Sequence, residues 1–115
     1  MNTEALIAAL KLGPVDFSTV MAVIDTEYDF SPTAFRNGDQ LNEAGSNSGS
    51  CKIFAFAALH DLNQQATLNA FGDYYHQDVL TNPGGSDHAN IRNFMRSGWQ
   101  GVVFDKPALT AKPSL

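Results

Sequence analysis

A single cysteine, Cys51, leaves this chain without an intramolecular disulfide, so packing rather than covalent staples must hold its core. The same scarcity fits a reducing compartment. Positive charge is thin as well: seven Lys and Arg stand against twelve Asp and Glu, for a net charge of −5. A phosphate backbone or an anionic membrane surface requires a basic face, so neither nucleic acid nor membrane is expected as a partner. The longest unbroken apolar run, Ile53 to Leu59, falls far short of the roughly 20 residues of a membrane span. Glu4 stands where a secretory signal carries basic residues, and no small-residue cleavage site follows, so a cytoplasmic location is expected.

Apolar and turn-forming residues fill the space that charge leaves. Of the 115 residues 43% are hydrophobic, eight of them Phe, which suffices for one domain with a real core. Thr3 can cap a short helix that Gly13-Pro14 stops, and Asp16 can cap the next, whose core face carries Phe17, Val20, Met21, Ile24 and Tyr28. Thr33–Arg36 reads as a short strand ended by Asn37-Gly38, and Val102–Phe104 as a second one able to pair with it. Between them, residues 51–62 are apolar on every side, the pattern of a buried central helix. Helical patterns continue through 67–71 and 73–80, and Ser86 or Asp87 can cap a helix bearing Ile91, Phe94 and Met95. The expected fold is therefore a mainly helical α+β domain: about five or six helices around helix 51–62, with a small two-stranded ribbon. The domain is read as residues 1–110, with 111–115 a flexible tail.

The polar stretch Asn42-Glu-Ala-Gly-Ser-Asn-Ser-Gly-Ser-Cys-Lys52 runs straight into the central helix. It sets Ser50, Cys51 and Lys52 at a helix start, where unpaired N–H groups and the dipole favour an anion or a thiolate. Its Gly45-x-x-x-Gly49 spacing, with Lys52 three positions on, is not a P-loop. Helix capping by Asn42 and Asn47 accounts for the loop without any ligand. Cys51 beside Lys52 is expected to have a lowered pKa, as a nucleophile requires, but His60 is half a turn out of phase and about 13 Å away along the helix. His88 or His76 could reach it only through the fold. The spacings of His76, Asp78, Asp87 and His88 do not match a helical ligand pair, so no metal and no cofactor is expected. His88, Arg92 and Arg96 recur every four residues, an acid-binding or a solvated stripe. Tyr74-Tyr75 reads as a core edge, and Trp99 as a packed corner or an exposed anchor.

Phe35-Arg-Asn-Gly38, Asn42-x-Ala-Gly-x-Asn-x-Gly-Ser-Cys-Lys-Ile-Phe-Ala-Phe-Ala57, Leu59-His60, Phe71-Gly-Asp-Tyr-Tyr75, Asp78-Val-Leu80, Asp87-His-x-Asn-Ile-Arg-Asn-Phe-Met95 and Gly98-Trp99-x-Gly101 together resemble the HopJ type III effector family, over about residues 3–110. The resemblance implies a small bacterial protein named after effectors that a type III system delivers into host cells. It carries Asn42, Asn47, Ser50, Cys51, Lys52, His60, Asp87, His88, Asn90 and Arg92 over as the positions to watch.

The leading expectation is a small soluble interaction or ligand-binding module for a small anionic or polar ligand or a protein partner. Loop 42–52 and the helix starting at 87 would form its pocket, with Lys52 and Arg92 supplying charge, Asn47 and Asn90 orientation, and Asn42, Ser50, Asp87 and His88 the remaining polar wall. The alternative is a cysteine-dependent hydrolase or transferase using Cys51 and His88. A third reading is a purely structural network in which Asn47 and Asn90 tie the loop to the helix.

Overall fold

The computed structural model describes residues 1–113, and the order of elements follows the sequence patterns closely. Helix α1 (Thr3–Leu12) is capped by Asn2, whose side chain accepts from the Ala5 N–H, so the cap lies one residue before the expected Thr3. Helix α2 (Phe17–Glu27) starts after Asp16, which makes no side-chain cap bond. Tyr28 leaves the helix to begin strand β1 (Tyr28–Phe30). Strands β2 (Phe35–Asn37) and β3 (Gln40–Asn42) form a hairpin around Gly38, whose φ of +63 is the left-handed conformation glycine favours.

Helix α3 (Ser48–Leu59) is the central helix, shifted three residues towards the N-terminus of the expected range. Cys51 and Ile53–Ala57 are buried, as the all-round apolar pattern requires. Its Phe54, with no exposed surface, lies among Phe35, Phe71, Phe94 and Trp99, whose ring centroids are 5.9, 5.6, 5.0 and 6.3 Å away. Trp99 is thus the packed corner rather than an exposed anchor, its Nε1–H donating to the Leu62 carbonyl at 2.9 Å.

Helix α4 (Gln64–Asn69) is followed by a single wide π turn, Tyr74–Val79, where an ordinary helix was expected. Helix α5 (Ala89–Ser97) begins after His88, which holds a left-handed φ of 52, so neither Ser86 nor Asp87 is the residue at the helix boundary. A 3-10 turn, Gly98–Gly101, leads into strand β4 (Val102–Phe104), and strand β5 (Leu109–Ala111) closes the described chain.

The expected ribbon is present, with Phe35 opposite Phe104, but it is two strands of a three-stranded antiparallel sheet of order β3-β2-β4. A separate antiparallel pair joins β1 to β5, Tyr28 opposite Ala111. Ala111, assigned to the flexible tail, is therefore paired strand, and Lys112 donates its N–H to the Glu27 carbonyl at 2.9 Å. The alternation of tail residues carried too little apolar signal to reveal that pairing. Residues 114–115 of the expected tail lie outside the described residues. Among the described residues no helix is long and apolar enough to cross a membrane.

Candidate functional site

Two helix starts open into one cleft. The start of α3 contributes Asn47, Gly49 and Ser50, and the start of α5 contributes His88, Ala89, Asn90 and Ile91. Gln40 and the rings of Phe17, Phe71 and Tyr74 complete a space of about 490 Å³. Each helix is preceded by a non-glycine residue in the left-handed region, Asn47 with φ 51 and His88 with φ 52, and neither has a side-chain cap. The first N–H groups of a helix have no partner within it, so both sets of orphan donors, with the positive ends of both dipoles, lie at the cleft.

An interlocked set of amides holds the two starts together. Asn42 Oδ1 accepts from Nδ2 of Asn47 at 2.7 Å, from Nδ2 of Asn90 at 2.9 Å and from Nε2 of Gln40 at 3.2 Å. Asn42 Nδ2 returns a bond to Asn90 Oδ1 at 3.2 Å, and Asn37 Nδ2 donates to Asn90 Oδ1 at 3.0 Å and to the Asn90 carbonyl at 2.7 Å. Asn37, Asn42 and Asn90 are all buried. Apart from Asn37 Oδ1, which is buried without a partner among the described residues, and a 3.4 Å bond from Asn42 Nδ2 to the Phe35 carbonyl, these side chains bond to one another, and Asn90 offers the cleft chiefly its backbone.

The two cations expected in the pocket are elsewhere. Lys52 pairs with Asp25 at 2.7 Å, its Nζ 5.1 Å from the centre of the Phe30 ring, and does not line the cleft. Two residues along a helix turn the side chain through about 200°, so Lys52 faces away when Ser50 faces in. Arg92 is buried and turned back onto the loop before α5. It donates to the Asp87 carbonyl at 2.6 Å, the Asp87 carboxylate at 2.6 Å and the Asn82 carbonyl at 2.9 Å. Its hydrogen bond and charge hold the Asp87 carboxyl below its ordinary range. Asp87 is therefore the partner of Arg92, not part of the cleft wall.

Cys51 departs furthest from its expected role. The thiol is 2% exposed and donates to the Thr33 carbonyl at 3.6 Å. Burial pushes its pKa up, outweighing the Thr33 hydrogen bond and the charge of Lys52. The first-turn dipole does not prevail here because the side chain points into the core. Cys51 is not a cleft residue, and the Cys51–His88 pairing has no geometric support.

His60, likewise outside the cleft, shares a hydrogen bond of 2.6 Å between its Nε2 and the Tyr28 hydroxyl and packs on Phe56. Burial lowers its pKa from 6.5. Below that value the unfolded chain binds the proton first, so this contribution to stability is complete above about pH 6.5 and is lost as pH falls towards the folded pKa. Thermal midpoints taken from about pH 7.5 to about pH 5.5 should fall, and His60→Gln should flatten that slope. An identical slope in the variant would remove His60 as the cause.

Sequence reasoning missed Phe17, Gln40, Phe71 and Tyr74 as cleft walls. Helical periodicity marked Phe17 as core and Tyr74 as core edge, and no local signal separates a core ring from one at a core's rim. Asp78, set aside as a metal ligand, instead accepts from or pairs with His88 Nε2 at 3.0 Å. Among the described residues no cluster of three or more His, Cys, Asp or Glu is placed to hold a metal ion.

Fold and cleft together define a small α+β domain with an open polar cleft between two helix N-termini. The chain belongs to the HopJ type III effector protein family, whose model matches residues 3–109. It is similar throughout to a solved crystal structure, that of VPA0580, a protein of unknown function. The two share 51% identity over 97% of this chain and 95% of that one, with a TM-score of 0.94. No curated protein matches it.

Proposed function

We propose that this protein is a binding module for a small organic ligand that seats one oxygen-rich, negatively polarised end at the starts of α3 and α5. The remainder of the ligand would lie against Phe17, Phe71 and Tyr74. The observation carrying this reading is that two uncapped helix starts, each with its orphan N–H groups, open into the same cleft. Asn47 and Ser50 then orient the ligand, with Gln40 and His88 opposite, while Lys52 and Arg92 have no part in it. The family name supports export by a type III system, with the cytoplasm of the producing cell as the starting point.

A thermal-shift titration with benzoate, phenyl phosphate and inorganic phosphate tests the reading, because a ligand bound only by the folded state raises the midpoint with concentration. Ala89→Glu places a carboxylate at the exposed first position of α5, where it complements the dipole and should leave the unliganded midpoint unchanged or higher. The same charge should repel an anionic ligand and abolish the shift, whereas Lys52→Ala should leave it intact. A shift that survives Ala89→Glu but disappears in Lys52→Ala would move the ligand out of this cleft.

A further inference from the structure

We propose that α5 serves a second pocket, one that binds a small aliphatic carboxylic acid in its ionised form. Arg96 and Arg92 hold the carboxylate, and Val79, Leu80, Pro83 and Met95 cover the chain. The pocket has a volume of about 230 Å³ and shares no lining residue with the cleft. The stripe of His88, Arg92 and Arg96 divides between the two: His88 lines the cleft, and both guanidinium groups line this pocket. No carboxylate lines it. The charge of Arg92 is already met by Asp87 at 2.6 Å, whereas Arg96 makes no ion pair among the described residues. One positive charge is therefore left over at the pocket, which matches a single carboxylate better than a phosphate carrying close to two charges.

The donors support the same ligand. Arg92 is only 8% exposed, and four of the five N–H groups of its guanidinium are taken, by the carbonyls of Asp87, Asn82 and Pro83 and by the Asp87 carboxylate. One N–H on Nη2 has no acceptor among the described residues, and a buried donor left unmet is costly. Arg96 commits only Nη2, to Asn93 Oδ1, and leaves Nε and Nη1 for a charge-assisted grip on an anion. Gly85 closes the pocket on the loop side. A Cβ there would stand 2.7 Å from Arg92 Nη2, so glycine lets the backbone lie against the guanidinium. The walls set the rest of the ligand. Val79 is buried, Leu80 and Met95 form a partly exposed rim, and no aromatic ring is present to favour a flat group. Such a space is below the roughly 300–1,000 Å³ of sites for drug-sized ligands and suits a short, flexible methylene chain.

The test is a titration of isotope-labelled protein with sodium octanoate, followed by two-dimensional amide NMR, with octanol as the uncharged control. Expected are saturable shifts of the Leu80, Gly85 and Met95 amides. Arg96→Gln should weaken the affinity by about 10-fold or more, the usual worth of a hydrogen bond to a charged group, and octanol should bind more weakly than octanoate by a similar factor. Leu80→Asp, at the exposed rim, should abolish binding through charge repulsion, and Ala89→Glu, in the cleft, should leave it unchanged. Amide spectra that match the parent away from the substituted residue confirm that each variant is folded. Absence of shifts at those three amides, equal affinity in Arg96→Gln and the parent, or equal affinity for octanol overturns the proposal. Loss of octanoate binding in Ala89→Glu moves the acid to the cleft and overturns this pocket alone; octanoate binding without any benzoate shift overturns the cleft and leaves this pocket standing.

Discussion

Truncating Phe54 to alanine is expected to cost about 3–5 kcal/mol, the usual range for emptying a fully buried aromatic site. The side chain has no exposed surface and touches aromatic rings contributed by β2, α5, the segment after α4 and the 3-10 turn, so no single neighbour can move in to fill the gap. Edge-on and tilted aromatic pairs add about 0.5–1.5 kcal/mol each beyond their buried area, which places the loss towards the top of that range. Against a typical total stability of about 5–15 kcal/mol, such a variant is close to unfolding at physiological temperature. Urea denaturation gives the number directly, and Phe54→Leu, which refills much of the volume, should recover more than half of it. A loss under about 1.5 kcal/mol for alanine would mean that the ring is not the centre of this core.

The second large effect is expected from Asn90→Ala. Removing that amide leaves Asn42 Nδ2 only a long 3.4 Å bond to the Phe35 carbonyl and takes a donor from Asn42 Oδ1, while Asn37 Nδ2 keeps the Asn90 carbonyl. A buried polar group left unsatisfied costs about 1–3 kcal/mol. Asn42→Ala should cost a similar amount. Because the two side chains bond to each other in both directions, the double variant should cost less than the sum, by roughly 0.5–3 kcal/mol of coupling. Additive losses in a double-mutant cycle would show that the two amides act independently. The same variants should loosen the cleft, because Asn47, which precedes α3, is tied to α5 only through Asn42.

The fold was more legible than the site, and the reasons are physical. An apolar residue at every position from Ile53 to Ala57 can be satisfied only by burial on all sides, so α3 announced itself as central. Pairing of Phe35 with Phe104 could be inferred because both strands are β-rich and bounded by turn residues. The closing pair β1–β5 could not, since Leu109–Ala111 carries almost no alternation and its partner β1 follows α2 directly, with Tyr28 still in helical phase.

At the site, composition correctly singled out the loop at 42–52 and the start of α5, and the cleft lies between them. What misled was side-chain direction. A shift of three residues in the start of α3 changed the faces of Ser50, Cys51 and Lys52, three consecutive positions that point to the cleft, the core and Asp25 respectively. Arg92 was misread for a different reason. A guanidinium with five donors is drawn to a loop rich in free carbonyls, and the loop from Asn82 to Asp87 supplies them. Left-handed residues at 47 and 88 are not marked by glycine, so the sequence concealed both helix boundaries.

The pairing of β1 with β5 also sets a timetable for synthesis. Lys112 reaches back to the Asp25 carbonyl across 87 residues of chain, and the strand before it pairs with the segment directly after α2. Loop-closure entropy must be met before such a distant contact stabilises anything, and chains emerge from the ribosome N-terminus first. Helices α1 and α2 and the β2–β3 hairpin can therefore form early, but β1 waits with an unpaired edge until β5 has been translated. Until β5 has been made the nascent domain stays open along that seam, so the β1–β5 pairing is the latch that closes α2 and the strand after it onto the rest of the fold.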